Sequence, residues 1–292
     1  MTRLGPILAA LVWTVLTAQA ALAADLEPGG KLLLTRGVAS VEGTGGGGLA
    51  TWALITGDET ERGVGGEAEA TYVALPNYDL SVFGAGVGLF DRFELTYARQ
   101  SFQTGATGAK LGLGRNFTFD QDIVGAKLRL FGDAVYDQDS WLPQLAAGVQ
   151  YKSNDRDAVI HAVGGRSAVG VDYYLAATKL FLNESLVLDA TLRLTKANQF
   201  GLLGFGGDKT SGYSPEFEGS AGYLLTRRLL LGAEYRSKPN NLGFAQEDGA
   251  FDAFAAYALN HTLSVTAAYV DLGDIATFRN QRGLFFSIQA GF

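Results

Sequence analysis

A two-residue alternation of apolar and polar side chains runs through most of this 292-residue chain. That period is the signature of strands with one apolar face, and it leaves little room for helical folds. Within residues 185–197, Leu186, Leu188, Ala190, Leu192 and Leu194 share one face, while Val187, Asp189, Thr191, Arg193 and Thr195 share the other. The last ten residues repeat the pattern, with Leu284, Phe286, Ile288, Ala290 and Phe292 set against Phe285, Ser287, Gln289 and Gly291. Phe93, Leu95 and Tyr97 alternate with Glu94, Thr96 and Ala98, and Leu229, Leu231, Ala233 and Tyr235 with Leu230, Gly232, Glu234 and Arg236.

The connections between these windows alternate in length. Short ones fall at 90–92, 183–184, 226–228 and 259–262; long, polar, glycine-rich ones fall at 103–121, 153–167, 198–213, 237–248 and 272–282. Such alternation marks an all-β, antiparallel up-and-down transmembrane barrel, with short turns in the periplasm and long loops outside. A two-residue turn at Asn183-Glu184 predicts Leu175 opposite Leu192 and Tyr173 opposite Leu194 on the apolar face. On the polar face it sets Thr178 beside Asp189 and Tyr174 beside Arg193. A three-residue turn at 226–228 predicts Tyr223 opposite Leu231 and Glu218 opposite Arg236, where opposite charges favour the register. Lys179 falls on an apolar face and is read as snorkelling near the periplasmic turn or as marking a bulge.

The aromatic residues point to a membrane. Tyr97, Tyr151, Tyr173, Tyr235 and Tyr269 fall on apolar faces near long-loop ends, and Phe93, Phe181, Tyr223, Tyr257 and Phe292 near short-turn ends. Two aromatic belts separated by smaller apolar residues suit the two interfaces of a bilayer, so outer-membrane lipid is the expected surrounding. Candidate strands lie near 31–41, 49–57, 66–75, 79–89, 93–102, 122–131, 142–152, 168–182, 185–197, 214–225, 228–237, 249–259, 262–271 and 283–292, giving about 12–14 strands. Residues 24–48 are read as a first strand or a lumen segment, and residues 49–292 as the barrel.

Residues 1–23 carry one early cation, Arg3, an apolar run from Ile7 to Leu16, and the triplet Ala21-Leu22-Ala23. This is the pattern of a secretory signal peptide, predicting Sec-type export and cleavage near Ala23; joined to the barrel pattern, it predicts the outer membrane of a Gram-negative bacterium as the destination. A net charge of −7 argues against a nucleic-acid partner, and zero cysteines remove disulfides, thiol catalysis and cysteine-ligated metals.

The terminal run Phe286-Ser-Ile-Gln-Ala-Gly-Phe292 resembles the signal read by the outer-membrane barrel assembly machinery, with Phe286, Ile288 and Phe292 as its apolar positions. The stretches Gly29–Thr35, Gly45–Leu54 and Gly88–Gln100 resemble a family of proteobacterial outer-membrane proteins defined only as a domain of unknown function. The likeness spans most of the chain after the signal. It implies a barrel and a compartment, and supplies no activity, cargo or catalytic residue.

By parity the inward faces present Glu94, Lys127, Arg129, Asp189, Arg193, Glu216, Glu218, Glu234 and Arg236 as lumen-lining candidates. Four cations against five anions do not make a strongly selective ring. Such charges either line a water-filled path or neutralise one another in a closed lumen. Gly45–Gly48 lacks the lysine and following helix of a phosphate loop and reads as a turn or lumen segment. His161, with Asp155, Asp157 and Ser167 nearby, is weighed as part of a triad, but no nucleophile motif accompanies it. No catalytic residue, metal site or cofactor is expected. The leading expectation is a passive porin-like channel for small solutes. The alternatives are a structural or interaction barrel closed by ion pairs, and a lipid-modifying enzyme using His161. Oligomeric state is left open.

Overall fold

The computed structural model describes residues 31–36 and 39–292. The expected signal peptide and its cleavage point lie outside the described residues. Twelve strands form one closed antiparallel barrel: β1 (Val64–Ala74), β2 (Asp79–Leu89), β3 (Phe93–Gln103), β4 (Thr118–Phe131), β5 (Gln144–Asn154), β6 (Val169–Phe181), β7 (Leu186–Thr195), β8 (Ser214–Thr226), β9 (Leu229–Arg236), β10 (Ala250–Ala258), β11 (Leu263–Asp271) and β12 (Arg282–Gly291). Each strand pairs with its neighbour in sequence, and β1 closes the ring against β12, with Ala70 opposite Ile288. Closure satisfies every strand edge, which a structure surrounded by lipid requires.

The registers read from the turns are those observed. Tyr173 faces Leu194, Tyr174 faces Arg193, Leu175 faces Leu192 and Thr178 faces Asp189. Tyr223 faces Leu231 and Glu218 faces Arg236. The outward positions are apolar and exposed: Leu95, Tyr151, Tyr173, Leu192, Tyr223, Tyr269, Phe286 and Ile288 all project from the outer surface, as do Phe93, Tyr235, Tyr257 and Phe292. Tyr97 and Phe181 are half-buried among their outward neighbours. A wall turning such residues outward is built to face hydrocarbon.

Three expectations need correction. Twelve strands is the lower of the expected 12–14: the described residues of the windows at 31–41 and 49–57 are not strands of the wall, and the barrel begins at Val64 rather than residue 49. The reason is visible in the second window, where Leu49, Ala50, Trp52, Ala53, Leu54 and Ile55 put apolar groups on both faces. A wall strand has one lipid face and one lumen face; a segment apolar on both belongs inside. The length alternation also has two exceptions. The β1–β2 connection, 75–78, is short at the external end, and the β4–β5 connection, 132–143, is long at the periplasmic end.

That long periplasmic connection accounts for Lys179. The side chain does not snorkel into water. It is buried, and its ammonium donates to the carbonyls of Asp133, at 3.2 Å, and Asp137, while Leu180 N donates to Ala134 O at 2.8 Å. The connection folds back along the end of β6, and its carbonyls take the place of water.

Candidate functional site in the occluded lumen

Residues 39–56 form a re-entrant segment inside the barrel, here called the plug. Both of its ends lie at the short-turn mouth: Gly57 N donates to Arg36 O at 2.7 Å, and Asp58 N donates to the Phe292 carbonyl at 3.1 Å. Its far tip, at Val41 and Leu49, meets Phe200 and Leu202 of the long β7–β8 connection. The plug has no ladder of its own with the wall; its bridges, Ala39 to Gly45 and Gly46 to Thr51, are internal. The glycine run is explained by close approach. A Cβ on Gly47 would collide with the Glu234 carboxylate, and one on Gly46 would sit 2.9 Å from Trp52 N. Gly43 adopts φ +82° and lies against Ala98, a conformation that side chains avoid.

Irregular backbone buried away from water needs partners for every N–H and C=O. The plug's own turns satisfy some, as in Val41 N to Gly48 O at 2.9 Å and Gly47 N to Ala50 O at 2.9 Å, and inward side chains supply others. Glu94 accepts from Gly45 N (3.2 Å) and Thr56 N (2.9 Å), Glu218 from Thr51 N (2.8 Å), Glu234 from Leu49 N (2.6 Å), and Thr178 Oγ1 from Ala53 N (2.7 Å). In return Lys127 Nζ donates to Gly45 O (3.0 Å) and Leu54 O (2.8 Å), Gln144 to Ala53 O (2.7 Å), and Gln100 to Val41 O (2.7 Å). Trp52 Nε1 donates to Ser220 Oγ at 2.9 Å, and Ser220 in turn donates to Glu234 at 2.8 Å.

At mid-lumen, six charges form one lattice. Glu42 of the plug pairs with Lys152 and with Arg236 (3.0 Å) and Arg193 (3.6 Å). Asp172 pairs with Lys152 (2.7 Å) and Arg193 (3.5 Å), while Glu218 pairs with Arg193 and with Arg236 (3.3 Å). The side chains of Glu42, Lys152, Asp172 and Glu218 have 0% solvent exposure. A water-filled path would leave such groups wet. This lumen is occluded.

A second seal lies above the plug at the long-loop end. Residues 198–205 of the β7–β8 connection turn into the mouth, with Gln199 and Phe200 at φ 46° and 61°. Leu202 and Leu203 are buried there, and Arg236 lies 4.3 Å beneath the Phe200 ring. Gln121 Nε2 donates to Phe200 O (3.2 Å), Asn154 Nδ2 to Leu202 O (3.1 Å), and Lys238 Nζ to Gln199 Oε1 (3.1 Å). Lys238 is paired with Glu247 at 3.6 Å. Burial pushes the Glu247 carboxyl up to about 7 against the pull of Lys238, and burial lowers the Lys238 ammonium. Between cap and plug remains an almost wholly apolar void of about 30 Å³, walled by Val73, Leu80, Phe102, Val270 and Phe285.

At the periplasmic mouth the plug is clasped by ion pairs. Lys31 bridges Glu59 (2.8 Å) and Asp91 (3.1 Å), and Arg36 pairs with Asp58 (2.5 Å) and approaches His261 Nδ1 (3.2 Å). Burial raises the Glu59 carboxyl to about 7, with Lys31 opposing.

Of the residues singled out from sequence, Glu94, Lys127, Asp189, Arg193, Glu218, Glu234 and Arg236 are buried inside the barrel. Arg129 and Glu216 stand apart. Arg129 is tied at the short-turn rim to Asp91 and Asp133, and Glu216 at the opposite rim to Ser214 and Ser237. Lys152, Asp172, Glu67, Glu69 and Asp252 are further buried inward charges on strands, and strand parity is the signal that finds them. Glu42 lies on no strand, so parity is silent there. His161 Nε2 sits 3.2 Å from Asp157 and its Nδ1 3.0 Å from Gly165 O, while Ser167 donates to Val169 O. Those bonds do not assemble a serine–histidine relay.

Residues 35–289 match the family model described as "Protein of unknown function (DUF3034)". The chain belongs to this family. No curated protein matches the sequence significantly. Among solved structures, the chain is similar to a KdgM porin at 10% identity and TM-score 0.48, covering 77% of this chain and 99% of the other. It is also similar to the outer membrane phospholipase A from Escherichia coli, at 10% identity and TM-score 0.43 over 78% and 92% of the two chains. A third similarity is to the COG4313 outer membrane channel from Pseudomonas putida F1, at 12% identity and TM-score 0.44 over 78% and 93%.

Proposed function

We propose that this protein is an outer-membrane channel held shut by its own N-terminal plug. The observation that carries the reading is the way the plug is held. Wall side chains bind it, and no strand of the wall pairs with it, so it can leave through the short-turn mouth without breaking the barrel's ladders. Twelve strands enclose more space than the eight that side chains alone can fill, so withdrawal of the plug, with the 198–205 cap above it displaced in turn, leaves a lumen. The barrel reaches the outer membrane by Sec-type export, loss of residues 1–23, and insertion by the barrel assembly machinery reading Phe286, Ile288 and Phe292.

Planar-bilayer recording tests this directly. The unmodified protein is expected to be quiet with rare openings, and a Glu94→Gln/Glu234→Gln variant to show frequent discrete steps. Because the chain has no cysteine, an Ala53→Cys reporter labels only when the plug withdraws. Steady open steps from the unmodified protein would mean that the plug is no gate. Silence from both proteins, with the reporter unlabelled, would favour the second reading, a structural barrel closed permanently by the buried lattice.

A further inference from the structure

Three cations of the barrel wall converge on a single carboxylate that the wall does not own. Lys152 projects from β5, Arg193 from β7 and Arg236 from β9, and all three contact Glu42 of the plug. The wall supplies only two anions to this cluster, Asp172 from β6 and Glu218 from β8. With Glu42 in place the lattice is neutral; without it, three converging cations face two wall anions and the site is net positive. A net-positive site walled by protein attracts an anion. Lys152 and Arg236 donate to Glu42 while Arg193 adds its charge at 3.6 Å, and such a cluster of charge-assisted donors suits a carboxylate.

The surroundings describe the rest of the occupant. Val41, next to Glu42 in the chain, and Leu49 line the apolar void with Phe102, Phe200 and Phe285. The Phe200 ring stacks above Arg236 at 4.3 Å. Acid and apolar body therefore lie side by side in the plug as it rests. We propose that Glu42 is a built-in occupant of a carboxylate site on the barrel wall, and that a small organic carboxylate with an apolar body takes its place when the plug withdraws. The transport role of this site rests on the gated-channel reading; the binding site itself does not.

The test is chemical rescue in the full chain. Glu42→Ala is expected to lower the temperature at which the barrel loses its compact gel migration. Refolding in millimolar benzoate is expected to recover most of that loss, and benzylamine none of it. Adding Lys152→Met to Glu42→Ala is expected to abolish the recovery. No benzoate-dependent shift, or an equal shift from benzylamine, overturns the proposal. If Glu42→Ala does not fold, the isosteric Glu42→Gln is read in the same way. In bilayers, conduction through Glu42→Gln channels is expected to be blocked by benzoate and not by benzylamine. Channels that conduct without sensing benzoate overturn the carboxylate site while the gate stands. Benzoate rescue with silent bilayers supports the site and overturns the gate.

Discussion

The plug and the cap both fill the barrel, and they are held by different balances of polar and apolar contact. The plug is fastened by direction: carboxylates accept its N–H groups, and cations take its carbonyls and Glu42. The cap is fastened by area, with Leu202, Leu203 and Phe200 set against an apolar wall of Phe102, Val270 and Phe285. A polar fastening can be exchanged for another polar ligand at small net cost, since one hydrogen bond replaces another. An apolar fastening is non-directional and is lost only by exposing surface to water. The difference assigns exchange to the plug and exclusion of water to the cap.

The largest test of that contrast is Arg193→Ala. It strands parts of Glu42, Asp172 and Glu218 in a dry interior and should cost about 3–5 kcal/mol, read from urea midpoints of folded barrel in detergent. The plug should become accessible to an Ala53→Cys reporter while the cap stays resistant to protease. Equal loosening of both would make them one unit and break the comparison.

Phe200→Ala comes next, at about 2–3 kcal/mol, because the ring is only partly buried. Protease added at the long-loop side should then cut within 198–205, with no gain in labelling at residue 53.

Each seal also carries one carboxyl raised to about 7, Glu247 by the cap and Glu59 at the plug's foot. A raised carboxyl contributes stability that is full below its unfolded value near 4.5 and is lost as pH rises through 7. Unfolding midpoints should therefore fall across pH 4.5–7, and Glu247→Gln should remove part of that slope, on the order of 1–2 kcal/mol. An unchanged slope in Glu247→Gln would leave Glu59 as the source and place the pH response at the plug. Smallest is Arg99→Ala. Its pair with Asp122, at 2.9 Å, is on the exposed rim, and the change should stay within about 1 kcal/mol.

The wall was legible because each strand must satisfy two solvents at once. Leu192 against Leu175 and Asp189 against Thr178 can be read from one turn length, since a one-residue slip would put Asp189 into lipid. The plug answers to neither solvent. Trp52 and Leu54 sit beside Thr51 and Ala53 with no face to alternate, and Gly47 is glycine because Glu234, 187 residues away, leaves no room for a Cβ. Arg193 and Arg236 could be placed inward by parity. Their convergence on Glu42 depends on how a re-entrant segment folds inside a finished ring, and local pattern carries no trace of that.

The seam between β1 and β12 and the foot of the plug share one fastening. The seam joins residues 67–74 to residues 284–291, and the Phe292 carbonyl accepts from both Asp58 N and Gly66 N. Opening the ring at that point therefore releases the plug's foot with it, so the barrel's closure and the lumen's occlusion stand or fall together at one carbonyl.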